Sequence, residues 1–240
     1  MTALSSPEQR FRDIEENYKE IEENIERAAV RSGRSRGDIR FMAVTKTVEP
    51  IFINHALSLG IDLIGENKVQ ELLSKLEYLP PQTEKHLIGH LQSNKVRKVA
   101  DVVSCIQSVD SLSVAAEISR QMQQREKTMD VLLEVNIGAE ASKTGFDAAA
   151  LPEAGAQIAG LPGIRVRGVM AVPPICESES LVRGYFEKTR RLYEDLKAGL
   201  SGEETVDTLS IGMSSDYVPA ILEGATLVRV GSALFGPRRY

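Results

Sequence analysis

Tryptophan is absent and aromatic residues make up only 5% of the 240 positions, which argues against the stacked surfaces used to bind carbohydrate or bases. Two cysteines, Cys105 and Cys176, show neither a CxxC spacing nor a histidine at metal-ligand distance, so a zinc site or disulfide framework has no support and a reducing compartment is expected. Positive charge is also short: the formal net charge of -5 excludes general nucleic-acid binding. The first twenty residues contain no apolar leader core, and no run approaches the roughly 18 apolar residues needed to span a membrane. The expectation is a cytoplasmic protein with no membrane partner. Low-complexity stretches, short repeats and Pro/Gly/Ser-rich linkers are missing too, so residues 1–240 are expected to form one domain.

What is present is alternation. Phe11, Ile14, Tyr18, Ile21, Ile25, Ala28 and Ala29 recur at helical spacing and predict an amphipathic helix over 7–31 with a solvated acidic face. Strand-like runs follow at 39–45, 61–65, 85–89, 102–107, 131–136, 165–171, 208–211 and 227–230, with helical stretches between them. Eight strands separated by helices predict an α/β fold of the closed (β/α)8 TIM-barrel type. A doubly wound open sheet would carry a glycine-rich fingerprint after its first strand, and here that strand runs into Lys46-Thr47-Val48-Glu49-Pro50.

Chemistry in such barrels gathers at the carboxyl ends of the strands. Those ends supply Lys46, Glu66, Asn67, His90, Ser108, Asp110, Asn136, Met170, the run Ser210 to Ser215, and Gly231-Ser232. The seventh and eighth loops, Gly212-Met213-Ser214-Ser215-Asp216 and Gly231-Ser232-Ala233, are small and hydroxyl-rich, the character of a phosphate cradle. A cradle and a lysine together suit a phosphorylated aldehyde, and pyridoxal 5'-phosphate (PLP) meets that demand with Lys46 as the Schiff-base amine. The same residues also fit a lysine that snorkels from a strand end and serines that cap helices.

Arg229 alternates with Val228 and Val230, so it points either into the barrel or out toward a helix. Facing a cofactor ring nitrogen, its guanidinium would leave that nitrogen unprotonated; facing a helix, it would form an ion pair. His90 is either an acid–base group or a hydrogen-bonded packing residue. The polar loop 173–181 is expected at the barrel mouth.

Five blocks, Ala43-Val44-Thr45-Lys46-Thr47, Ile64 through Glu71, His86 through Lys95, Leu209 through Ser214 and Val228 through Gly236, together resemble the pyridoxal phosphate homeostasis protein family. The resemblance spans 41–236 and implies a single-domain barrel of PLP fold-type III, similar to the N-terminal domain of bacterial alanine racemase. It implies that Lys46 carries PLP, that Ser210, Ser214, Gly231 and Ser232 surround the phosphate with help from the Met213 backbone, that Arg229 meets the ring nitrogen, and that Asn67 lies near the ring hydroxyl. Thr45 and Ser232 stand where the family more often has Ser and Thr, and both keep a hydroxyl. The racemase needs a second base from an additional β-domain, which is not expected here because the chain reaches Tyr240 soon after its eighth strand. The implied role is therefore carriage or buffering of PLP by a monomer, in vitamin B6 and amino-acid balance, with PLP-dependent apo-enzymes as recipients. The alternative is a PLP-dependent racemase or related proton-transfer enzyme.

Overall fold

The computed structural model describes residues 6–140, 142–200 and 206–237; the outer ends of the domain expected over 1–240 lie outside them. Eight parallel strands close on themselves in chain order. They are β1 (Arg40–Val44), β2 (Leu63–Glu66), β3 (Glu84–Leu87), β4 (Cys105–Val109), β5 (Met129–Val135), β6 (Ile164–Ala171), β7 (Thr208–Ser210) and β8 (Leu227–Val230). Closure is made by β8 pairing with β1, Phe41 opposite Val228 and Ala43 opposite Val230.

The helices are α1 (Pro7–Arg31), α2 (Pro50–Ser58), α3 (Val69–Lys75), α4 (Val96–Val99), α5 (Leu112–Gln123), α6 (Leu151–Ala159), α7 (Glu179–Gly199), α8 (Tyr217–Leu222) and α9 (Ser232–Phe235). All eight expected strands are present. The fourth begins later than its Val102-Val103 pair suggested, because both residues donate their N–H groups to Val99 O in the turn that ends α4. The expected 173–181 loop is also shorter: Ser178 caps α7, its hydroxyl accepting from the Leu181 N–H.

Two apolar layers hold the barrel. Strand residues such as Ile64, Leu87, Ile106, Val131 and Val169 pack outward against the helices in one continuous core, whereas Met42, Leu63 and Leu227, and separately Cys105, Leu132 and Met170, form small clusters of their own. Strand alternation assigns those two clusters to the barrel interior.

The helix α1 starts on Pro7, with the Ser6 hydroxyl accepting from the Gln9 N–H, a favourable N-cap. Its buried stripe of Ile14, Ile21 and Ile25 contributes about 1.5–3 kcal/mol per side chain. That stripe lies over the seam where the barrel closes: Asn17 donates to Leu234 O of α9 at 3.0 Å and Asn24 to the Tyr217 hydroxyl of α8 at 2.9 Å.

Strand β6 pairs with β5 through an irregular step, where Val131 opposes Val166 and Leu132 opposes Gly168. Gly168 follows with φ 152°, and a Cβ there would stand 1.8 Å from the carbonyl oxygen of Thr208 on β7. Gly168→Ala is therefore expected to cost about 1–3 kcal/mol by forcing the two backbones apart, measured as a lower urea midpoint with an unchanged slope.

Candidate functional site

The site lies where β1 and β8 end side by side. Lys46 stands two residues past the last residue of β1, half-buried, and the chain turns sharply after it. Thr47 takes φ 63°, a region that costs a β-branched residue about 1–3 kcal/mol.

Neighbouring elements hold that turn. The Thr47 N–H donates to Glu71 Oε1 at 2.5 Å and the Thr45 hydroxyl to Glu66 Oε1 at 2.7 Å. Lys75 Nζ donates to the Thr45 carbonyl at 2.8 Å and to Glu66 and Glu71 at 2.7 Å each. Burial pushes the Glu66 carboxyl above its ordinary range, against the hydrogen bonds from Lys75 and Thr45. Burial acts the same way on Glu71, but there the bonds from Lys75 and the Thr47 N–H prevail and its pKa is lowered.

Opposite the turn lies the loop after β8. A Cβ on Gly231 would stand 3.2 Å from both Cβ and the carbonyl oxygen of Val44, so glycine lets the loop pass close against the end of β1. The Ser214 hydroxyl accepts from the N–H groups of Gly231 at 3.0 Å and Ala233 at 3.1 Å, tying the seventh and eighth loops together. Met213 is turned by its N–H donating to Asp216 Oδ1 at 2.5 Å; burial raises the pKa of that carboxyl. Lys46, Gly231 and Ser232 line one cleft of about 360 Å³, whose outer wall includes Arg10 and Asn17 of α1. Ser214→Ala is expected to cost about 1 kcal/mol, as loss of a cap does, and to loosen the corner, seen as a lower urea midpoint.

Beneath the cleft Arg229 points inward and is 3% exposed. Its guanidinium donates to Ser210 O at 2.7 Å, to Ser210 Oγ at 2.6 Å and to Ala171 O at 3.0 Å. Burial pulls its pKa down to about 10, with Asp216 and Glu134 opposing, so it stays charged at neutral pH. From Ser210 the bonds cross the barrel: Ser210 Oγ donates to Gln107 Oε1 at 2.7 Å, Gln107 Nε2 meets His86 Nδ1 at 2.9 Å, and His86 Nε2 meets Glu84 Oε1 at 2.8 Å. Once Gln107 accepts through its oxygen, its nitrogen must donate, so His86 is fixed as the tautomer carrying hydrogen on Nε2.

Asn67, just past β2, has a buried Oδ1 with no hydrogen-bond partner among the described residues, as does Glu134 at Oε2. Burial, then the charge of Asp110, pushes the Glu134 carboxyl up. His90 is half-exposed and engaged by Asp110 at 2.7 Å.

Of the residues expected from sequence, the cleft thus brings together Lys46, Gly231 and Ser232, with Ser214 joined to them and Met213 in the same loop. Ser210, expected at the phosphate, ends β7 buried, with its hydroxyl between Arg229 and Gln107. Arg229 takes the inward of its two possible orientations. Sequence reasoning gave no role to Glu66 and Glu71, although both lie in a quoted block, and missed Lys75, whose only signal is its place four residues after Glu71 on α3. It gave no sign that α1 walls the cleft.

Comparison with known proteins adds to this geometry. The family model of the alanine racemase N-terminal domain matches residues 17–239. A pyridoxal phosphate homeostasis protein of Aquifex aeolicus is 39% identical over 217 residues, 90% of this chain and 94% of that protein. The crystal structure of an unknown protein from Bifidobacterium adolescentis matches with a TM-score of 0.89 at 36% identity, covering 97% of this chain and 98% of that one. PipY of Synechococcus elongatus, solved with PLP bound, matches with a TM-score of 0.76 at 32% identity over 83% of this chain and 93% of PipY.

Proposed function

This chain belongs to the pyridoxal phosphate homeostasis proteins, built on the alanine racemase N-terminal domain, and on that premise we propose that it binds PLP reversibly through Lys46 and buffers or delivers it. The observation that carries this reading is the cleft itself, where an amine at the end of β1 faces a glycine-lined corner at the end of β8. The residues present fit the cofactor. The cleft beside Gly231 and Ser232 would take the phosphate, the buried Asn67 Oδ1 would offer an acceptor to the ring hydroxyl, and the buried Arg229 would supply a fixed charge to the ring nitrogen.

When bound, PLP supplies an aldehyde for covalent attachment to an amine and a ring that withdraws electrons. The chain's own groups do the rest. Lys46 supplies the attaching amine, the seventh and eighth loops orient the phosphate, and Arg229, still charged near neutral pH, disfavours a proton on the ring nitrogen. That last effect weakens the ring as an electron sink and suits carriage better than turnover.

In this reading the protein acts as a monomer in the cytoplasm and hands PLP to PLP-dependent apo-enzymes. No described helix is long and apolar enough to cross a membrane. The test is the absorbance spectrum of purified protein before and after borohydride, with mass spectrometry of the product. A band abolished by reduction, leaving the adduct on Lys46, is expected. A colourless protein that takes up no added PLP would refute the reading. Solvent deuterium appearing at Cα of an amino acid at catalytic rates would show a racemase-like enzyme instead.

A further inference from the structure

The turn that carries Lys46 is held from outside its own strand. The last ladder bond of β1 in this direction runs from Thr45 N–H to Gly65 O at 3.0 Å. Beyond it the chain leaves the sheet in a turn closed by the Val48 N–H donating to Thr45 O at 3.0 Å, and the side chains that hold that turn come from the end of β2 and from α3. Lys75 Nζ holds the carbonyl of Thr45, Glu66 the hydroxyl of Thr45, and Glu71 the N–H of Thr47, so the residues on both sides of Lys46 are fixed and Lys46 itself is not touched by these three bonds. One ammonium joins the two carboxylates at 2.7 Å each. The Thr47 backbone, in the left-handed region at φ 63°, is a conformation that threonine does not keep unaided.

We propose that Glu66, Glu71 and Lys75 are positioning residues, a charged clamp that fixes the backbone on either side of Lys46 and thereby aims its amine into the cleft. The inference rests on the reading of Lys46 as the PLP-attaching amine and adds to it what places that amine. Lys75, for its part, is no competing attachment point: its side chain is 8% exposed and is committed to three acceptors. An amine on a long, rotatable stem reacts well only if its base is fixed, and a misplacement of about 1 Å can cost roughly 100-fold. The clamp supplies that fixed base with groups from β2 and α3.

Glu71 gives the cleanest test because it sits at the rim of the clamp, 22% exposed. Glu71→Gln keeps an oxygen to accept from the Thr47 N–H, whereas Glu71→Leu removes it. Three measurements are made on wild type and both variants: PLP affinity by absorbance titration, the circular dichroism of the cofactor band per adduct at saturation, and the crystal structure without PLP. Expected for Glu71→Leu are an affinity lower by about tenfold, a diminished band and Thr47 returned to negative φ, with Glu71→Gln close to wild type in all three. Ile158→Val, a core change on α6, serves as a control for lost stability alone.

Wild-type affinity and band intensity in Glu71→Leu would overturn the proposal, and so would an unmoved Thr47. It would also fall if Ile158→Val lowered affinity and band as Glu71→Leu does, since the clamp would then be merely structural. Failure of the underlying reading looks different: the wild type itself would show no adduct on Lys46.

Discussion

Lys46→Ala is expected to abolish the borohydride-reducible band and to lower PLP retention through dialysis by roughly 100-fold, the scale of losing a positioned covalent partner. The lysine stands past the end of β1, outside the apolar layers that hold the barrel, so the variant should keep the far-ultraviolet circular dichroism of the wild type. It should also keep weak, non-covalent binding, because the Ser214–Gly231 corner and Arg229 remain. No described neighbour is expected to take over the attachment: Lys75, from the element beside it, is locked between Glu66, Glu71 and the Thr45 carbonyl. Equal retention by wild type and Lys46→Ala, or an adduct mapped to another lysine in the variant, would contradict the assignment.

The largest effect on stability is expected from Lys75→Met. Glu66 is wholly buried, and removing its cation while keeping side-chain volume leaves a carboxylate in the core, a change that costs about 3–5 kcal/mol. The pH dependence identifies the cause. In the wild type burial already raises the Glu66 pKa from 4.5, so the folded state binds a proton more tightly than the unfolded one, and this group's contribution to stability is lost as pH rises from about 4.5 through the raised folded value. Without Lys75 the opposing hydrogen bond and charge disappear and the folded value rises further. Lys75→Met should therefore be weakest at pH 8 and regain stability as pH falls through that value. Urea unfolding followed across the pH range over which the protein stays folded checks this; a loss that does not change with pH would trace the damage to packing rather than to a stranded charge.

How much of this was legible in the sequence depended on range. Strand and helix periodicity is local, so the eight strands and α1 could be read from apolar spacing, with errors where a helix end such as Val102-Val103 resembles a strand. Lys46, Ser214, Gly231 and Ser232 were legible because strand-end chemistry follows from the order of elements in a barrel. The hydrogen-bond partners of Ser210 were not. Whether its hydroxyl turns toward the loops or toward Gln107 depends on a partner 103 positions away. Lys75 was hidden for a different reason: on a helix a lysine four residues after a glutamate reads as an exposed surface pair, and only tertiary packing buries it against Glu66.

The seam closed by α1 has a consequence for synthesis on the ribosome. Asn17 meets Leu234 across 217 positions, and at roughly 5–20 residues per second the helix emerges about 10–40 s before its partner exists. Throughout that interval the stripe of Ile14, Ile21 and Ile25 has none of its native cover from α8 and α9, so the nascent chain offers chaperones an apolar handle at its leading end. Release of that handle would coincide with arrival of the last strand, making α1 docking a natural reporter for the moment the barrel closes.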